Sequence, residues 1–369
     1  MSTPPPAPGL SPDPAHPVQW SDPLRQTHFE QWLQSLPAAH GLQTSSLRMA
    51  SADASFRRYF RIQAAQQSLI VVDAPPAHEN CAAFVNVAQL MRAAGLNVPL
   101  VLEWQVEHGF MLLTDLGQQT LMQQLDASLP AQHQADFLRA LDALIDWQCA
   151  SQAQVLPACD KALLLRELQL FPDWYVAQHR ALVLTDAEQQ TLAQAFETIV
   201  TRNLSVPQVF VHRDFMPRNL MIPMDPAEKR LGVLDFQDAV HGPITYDVAS
   251  LMRDAFISWD ESFVIDITVR YWERARQRGL LGTGELASDF GLFWREVEWM
   301  GLQRHLKVAG IFARLGLRDH KPKYLADTPR FLAYIRATAS RYRELFPLLR
   351  LIDRIEGHAS TSGYAFGRI

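Results

Sequence analysis

The chain has 369 residues, 48% of them hydrophobic, and its 34 Lys and Arg against 39 Asp and Glu give a net charge of -5. That length accommodates two domains or one large bilobal unit, and that composition builds a real core, which excludes a largely disordered chain. The mild negative balance excludes a strongly basic nucleic-acid-binding domain, and no apolar run approaches the roughly 18 residues of a membrane-spanning helix.

Proline fills 8 of the first 23 positions. The segment has neither a basic stretch nor an apolar one, so it reads as a flexible Pro-rich tail over residues 1–23 rather than a signal peptide. Cys81, Cys149 and Cys159 have no metal-ligand spacing. They fit small buried apolar residues in a reducing compartment, and the expected location is the cytoplasm.

A first helix is predicted over 24–36, closed by Pro37 and Gly41. Strands follow at 46–50, 57–62 and 68–73, the last a β-branched run before Pro75-Pro76. A helix over 78–94 places Phe84, Val87, Ala88 and Met91 on one face and stops at Gly95. Two further strands lie within 98–107 and 109–114. Residues 24–116 form the expected N-terminal lobe, and Asp115-Leu116-Gly117 the hinge. Helices are predicted over 118–127, 131–150, 160–181 and 186–203, short strands between 207 and 236, and helices again from 246. Residues 117–369 form the expected C-terminal lobe.

The chemistry is concentrated in His212-Arg213-Asp214-Phe215-Met216-Pro217-Arg218-Asn219, followed sixteen residues later by Asp235 in Leu234-Asp235-Phe236. The pattern H-R-D-x-x-x-x-N and then D-F is the layout of a phosphoryl-transfer site. Asp214 is the candidate catalytic base, whose main task is to align a hydroxyl with the γ-phosphorus of ATP. An isolated Asp is commonly a turn or helix-capping residue; the matching spacing of Asn219 and Asp235 favours the catalytic role. Asn219 and Asp235 offer the oxygen ligands that Mg²⁺ takes alongside phosphates. His212 shapes the loop, Arg213 and Arg218 are salt-bridge or loop-surface residues, and Asp247 sits in the first turn of an apolar helix.

Residues 53–59, Asp-Ala-Ser-Phe-Arg-Arg-Tyr, stand where a phosphate-covering loop belongs. Ser55, Phe56, Arg57 and Arg58 are candidate nucleotide contacts, although the loop is not glycine-rich. Glu79 opens the helix predicted over 78–94, and its expected partner is a lysine on the third strand. That strand, Leu69–Asp73, carries none. Arg57, Arg58 and Arg61 are the nearest basic substitutes.

These segments, together with Leu113-Thr114-Asp115-Leu116-Gly117, Asp235-Phe236-Gln237-Asp238-Ala239, Gly242-Pro243 and Tyr246-Asp247, resemble the aminoglycoside phosphotransferase-type kinases over about residues 28–350. The likeness is strongest to the bacterial kinases of the anomeric hydroxyl of N-acetylmuramate and N-acetylglucosamine. The resemblance implies an α+β, bilobal protein-kinase-like fold, with a small antiparallel-sheet lobe and a larger, mainly helical one. It implies ATP and Mg²⁺, with Asp214 as base, Asn219 and Asp235 as metal ligands and Asp247 as a buried brace of the catalytic loop. It also implies backbone reading of adenine at Thr114, Asp115 and Leu116, and transfer to C1 for peptidoglycan recycling.

Gln237 and Asp238, directly after a metal ligand, and Arg253 and Arg304, with forks suited to a sugar carboxylate, are the candidate acceptor contacts. Trp299 reads as core. The expected partners are an amino sugar and a nucleotide, with no nucleic acid and no membrane, and the oligomeric state stays open. Two other functions fit the same motifs: a kinase of aminoglycosides or other small hydroxyl compounds, and a kinase-like binding protein without turnover.

Overall fold

A computed structural model describes residue 20, residues 22–51 and residues 56–358. Most of the Pro-rich tail and Ser55 lie outside the described residues. The chain divides into two compact units, one running through Leu125 and including Pro217–Asp238, the other made of Asp126–Met216 and Ala239–Ile369.

In the first unit, strands β1 (Gln43–Ser51), β2 (Arg58–Gln63), β3 (Ser68–Asp73), β4 (Val101–Gln105) and β5 (Phe110–Thr114) form one antiparallel sheet in the order β1-β2-β3-β5-β4. Alternating side chains of β2, β3 and β5, among them Phe60, Ile62, Leu69, Val71, Phe110 and Leu112, bury one face against Phe29, Trp32 and Leu33 of the helix Pro23–Ser35. Asp22 caps that helix by accepting from the Leu24 and Arg25 backbone N–H groups. The β4–β5 turn needs Gly109: its φ is +71°, and a Cβ there would lie 1.9 Å from the Ala74 carbonyl oxygen.

The second helix runs over Cys81–Ala93, capped by Asn80, so Glu79 lies in the preceding turn rather than opening the helix. The expected helix over 118–127 is a single 3₁₀ turn, Leu121–Gln124. Its chain is drawn instead into pairing: Thr120 bridges Met221, and the Ile222 N–H donates to the Gln119 carbonyl at 2.9 Å. The sequence reading cut the chain once, between 116 and 117. In the structure Pro217–Asp238 returns to the first unit, because its two-residue strands Leu220–Met221 and Gly232–Val233 pair with each other and bond back to Thr120 and Asn97.

The second unit is helical around one long helix, Phe290–Leu317. Its middle, from Glu296 through Lys307, is buried on every side, so each polar group there requires an internal partner. It packs against Lys161–Leu170 and the segment that continues it, Phe171–His179, so closely that a Cβ on Gly310 would meet the Leu170 carbonyl oxygen at 2.3 Å. The single helix expected over 160–181 therefore has two parts. The second, with the N–H-less Pro172 near its start, widens into a π-helix. Helices Gln134–Cys149, Asp186–Leu204, Glu261–Gln277, Thr328–Arg341 and Phe346–Glu356 complete the layer, and Gln208–Val211 pairs antiparallel with Val240–Pro243. Cys81 and Cys159 are buried as expected, but Cys149 is exposed. Trp299 is fully buried core. No helix among the described residues is long and apolar enough to cross a membrane.

Candidate active site

The segment carrying Asp214 leaves the strand Gln208–Val211 and belongs to the second unit. Arg213 adopts φ +76°, a left-handed conformation costly for a side chain with a Cβ, so the surroundings must hold it. Asp247 does so from the first turn of the helix Thr245–Met252. Its Oδ2 accepts from the His212 N–H at 2.7 Å and its Oδ1 from the Arg213 N–H at 3.0 Å. His212 Nδ1 in turn lies 3.3 Å from the Asp214 backbone nitrogen. Asp247 and His212 thus both contact the backbone of residues 212–214.

Arg304 acts on the same loop from the long helix, with its Nη1 donating to the Arg213 carbonyl at 2.6 Å. The residue is buried, 4% exposed. Sequence reasoning gave it to a substrate carboxylate; the structure gives it to the loop backbone. A second network lies behind, and the sequence reading did not contain it. Glu167 accepts from Arg213 Nη2 at 2.6 Å, from Lys307 Nζ at 2.9 Å and from the Tyr246 hydroxyl at 3.2 Å, while Lys307 also donates to the Tyr246 oxygen at 3.1 Å. The available signal was a lysine and a glutamate, each inside an otherwise apolar helical stripe.

These charges set the ionisation of Asp214. Burial opposes its charge, but Lys307, Arg304, His212 and Arg213 outweigh that and hold its carboxyl below the usual range. Asp214 is therefore an anion at neutral pH. For Asp247 burial wins over His212 and the two N–H donors, and its carboxyl is pushed up to about 6.

Asn219 and Asp235 belong to the first unit. Asn219 closes a 3₁₀ turn, Pro217–Asn219, and its carbonyl accepts from the Leu234 N–H at 2.9 Å. Asp235 follows the strand Gly232–Val233 with φ +64°, a second left-handed position. Asn219 Nδ2 lies 3.4 Å from Asp235 Oδ2, and Gln237 Nε2 donates to Asp235 Oδ1 at 2.9 Å. One exposed carboxylate beside one amide suits Mg²⁺, which takes one or two protein oxygens and completes its shell with water and phosphate. Gln237 thus contacts the Asp235 carboxylate, and Asp238 is exposed.

The basic cluster resolves into separate tasks. Arg58 pairs with Asp73, which is 1% exposed and also receives Arg25 Nε at 2.8 Å. Arg61 donates from Nε and Nη2 to Asp115, at 2.5 and 3.0 Å, and to the Gly117 carbonyl at 2.7 Å. Arg57 Nη2 lies 2.6 Å from Glu79 Oε2. The Asp115 side chain, with Ser68 and the Gly117 N–H as further donors, anchors the segment after β5, and Leu116 packs on Gly232. The Thr114 hydroxyl accepts from the Leu100 N–H at 2.9 Å. Phe56 is exposed and stacks on His78 with ring centroids 4.3 Å apart. Arg253, in the second unit, pairs with Glu261 at 2.8 Å and lines a cavity of about 120 Å³ with Glu298, His305, Tyr334 and Arg341.

The chain is 48% identical over 342 residues to an N-acetylmuramate/N-acetylglucosamine kinase of Pseudomonas aeruginosa, covering 90% of this chain and 97% of that one. It is 44% identical to a protein of the same name from Neisseria meningitidis serogroup B, covering 93% and 99%. Among solved structures it is similar to a choline/ethanolamine kinase family protein from Mesorhizobium loti, with a TM-score of 0.58 at 15% identity, covering 89% of this chain and 99% of that one. That likeness is one of fold, kinase-like with an antiparallel sheet and a helical part. Residues 46–280 match the phosphotransferase enzyme family, and with a site of this chemistry the chain belongs to that family.

Proposed function

We propose that this protein transfers the γ-phosphoryl group of ATP to the anomeric C1 hydroxyl of N-acetylmuramate, N-acetylglucosamine or both. The product is the sugar 1-phosphate, an entry point for peptidoglycan recycling in the cytoplasm. The observation that carries the reading is an ionised Asp214 on a loop braced by Asp247 and Arg304, in a chain alike over nearly its whole length to kinases named for these two sugars.

In this reading Asp214 accepts a hydrogen bond from the C1 hydroxyl, directs its lone pair at the γ-phosphorus and takes the proton late. Asn219 and Asp235 hold Mg²⁺, which supplies charge stabilisation to the transferring phosphate. Ser55, Phe56, Arg57, Arg58 and Glu79 belong to the phosphate side, and Thr114, Asp115 and Leu116 present backbone groups to adenine. With Arg58 and Asp115 committed to ion pairs, their contribution on that side is to hold the sheet and hinge. Gln237, Asp238 and Arg253 serve the acceptor, and Arg304 is a positioning residue.

Phosphorus NMR of the products from a panel of amino sugars, with ATP and Mg²⁺, reports acceptor and position together. The expected signal is a 1-phosphate, with no turnover of the methyl glycosides. Phosphorylation of a methyl glycoside as readily as the free sugar would refute the C1 assignment.

A further inference from the structure

In phosphoryl-transfer sites of this layout a strand lysine, paired with a helix glutamate, binds the α- and β-phosphates. Here β3 reads Ser-Leu-Ile-Val-Val-Asp, and its one charged residue, Asp73, is an acid that two arginines neutralise. The missing cation must come from elsewhere.

Of the three arginines Arg57, Arg58 and Arg61, the latter two are spent on structure. Arg58 lies between Asp73 and the Trp20 ring, with its guanidinium carbon 3.8 Å from the ring centre. Arg61 is 7% exposed and holds Asp115 and the Gly117 carbonyl. Arg57 is placed differently. It stands just before β2, and its Nη2 meets Glu79 at 2.6 Å. Glu79 precedes the helix Cys81–Ala93, and that helix sets Phe84 against Phe236, the neighbour of Asp235, with ring centroids 4.8 Å apart. The Arg57–Glu79 pair is thus tied by packing to the segment that carries the metal carboxylate.

We infer that Arg57, held by Glu79, takes the place of the strand lysine and binds the α/β-phosphates of the nucleotide. This rests on the ATP-dependent reading above. Two further relations support the placement. Arg57 shares a hydrogen bond with the Tyr59 hydroxyl, and it feels the negative charge of Asp235, so its cation is fixed within electrostatic range of the metal ligand. Glu79 is a positioning residue: it prevents a long, flexible side chain from swinging into water. An arginine suits this site because a planar fork can serve a carboxylate on one edge and phosphate oxygens on another, whereas a lysine ammonium is a single point of charge.

The test is a titration of the full chain with adenosine, ADP and ATP, each with Mg²⁺, by calorimetry on wild type, Arg57→Ala, Arg57→Lys and Glu79→Gln. Arg57→Ala should weaken ADP and ATP about 10- to 100-fold and leave adenosine within about twofold. Arg57→Lys should recover part of that loss, and Glu79→Gln should raise the KM for ATP severalfold while leaving the acceptor KM unchanged. If Arg57→Ala does not fold, Arg57→Lys and Glu79→Gln carry the same discrimination between phosphate and nucleoside. Wild type that binds Mg²⁺–ATP, with Arg57→Ala binding it equally well, overturns the clamp and leaves the ATP reading standing. Wild type that binds no Mg²⁺–ATP overturns both.

Discussion

Asp247→Asn separates holding the loop from holding the fold. Asp247 is fully buried, and its carboxyl is pushed from 3.8 to about 6, chiefly by burial. A folded-state pKa raised in this way contributes stability that is fully present below the unfolded value and is lost as pH rises through about 6. Above that the buried charge costs about 3 kcal/mol, from roughly two pKa units at 1.36 kcal/mol each. Asparagine removes that cost. It also replaces two charge-assisted acceptors by one oxygen and one NH₂, which leaves either the His212 or the Arg213 N–H facing another donor, a loss of about 2–4 kcal/mol. The two effects are close in size, so the variant should unfold in urea within about 1.5 kcal/mol of wild type at pH 7.5. At pH 5 wild type should gain about 1.4 kcal/mol on the variant, since its Asp247 is then largely protonated. Activity should not be spared: a displaced Asp214 loop should lower kcat about 100-fold. In wild type the acid limb of the rate profile should fall near pH 6, where Asp247 protonates, and not lower, where Asp214 does; in the variant that limb should vanish. A limb that persists near pH 6 in Asp247→Asn, or a variant several kcal/mol less stable at both pH values, refutes this account.

Asp214→Asn should fold normally and bind Mg²⁺–ATP, yet lose about 10³-fold or more in kcat; a fall under tenfold in single-turnover assays would remove it as base. Asp235→Asn should raise the Mg²⁺ concentration for half-maximal rate at least tenfold, read by titration at saturating ATP. Lys307→Met should destabilise by about 3 kcal/mol in urea, the low end for a broken buried pair, because Arg213 still compensates Glu167. Gly109→Ala should cost about 2–3 kcal/mol, since it adds left-handed strain to contact with the Ala74 carbonyl, whereas Gly95→Ala, with nothing within 4 Å, should cost only the strain.

The parts of the site that could be read from sequence are those a short stretch of backbone fixes. Asp214 and Asn219 are five residues apart, and β3 was placed residue for residue because its apolar run has Gln and Pro at its ends. The helix expected over 118–127 failed for the opposite reason. Its local composition is compatible with a helix, but Gln119 and Thr120 gain more by bonding to Met221 and Ile222, a hundred residues away. Asp115 shows the same limit, for nothing near it in sequence announces that Arg61 will claim its carboxylate.

The electrostatic half of the site has no local signature. Glu167 and Lys307 are 140 positions apart, and although each interrupts an apolar helical stripe, neither position names the other as its partner. Lys307 becomes meaningful only because helices surround the middle of Phe290–Leu317, which forbids a charge there unless it is paired. From sequence Arg304 is a candidate for a sugar carboxylate or an ordinary surface helix arginine; in the structure it is buried and donates to the Arg213 carbonyl. A charge buried beside a carboxylate is costly to maintain, and its return is an Asp214 that stays ionised. Gln237, Asp238 and Arg253, proposed above for the acceptor, make polar but generic contacts within the fold, and there likeness to whole relatives informs more than any spacing does.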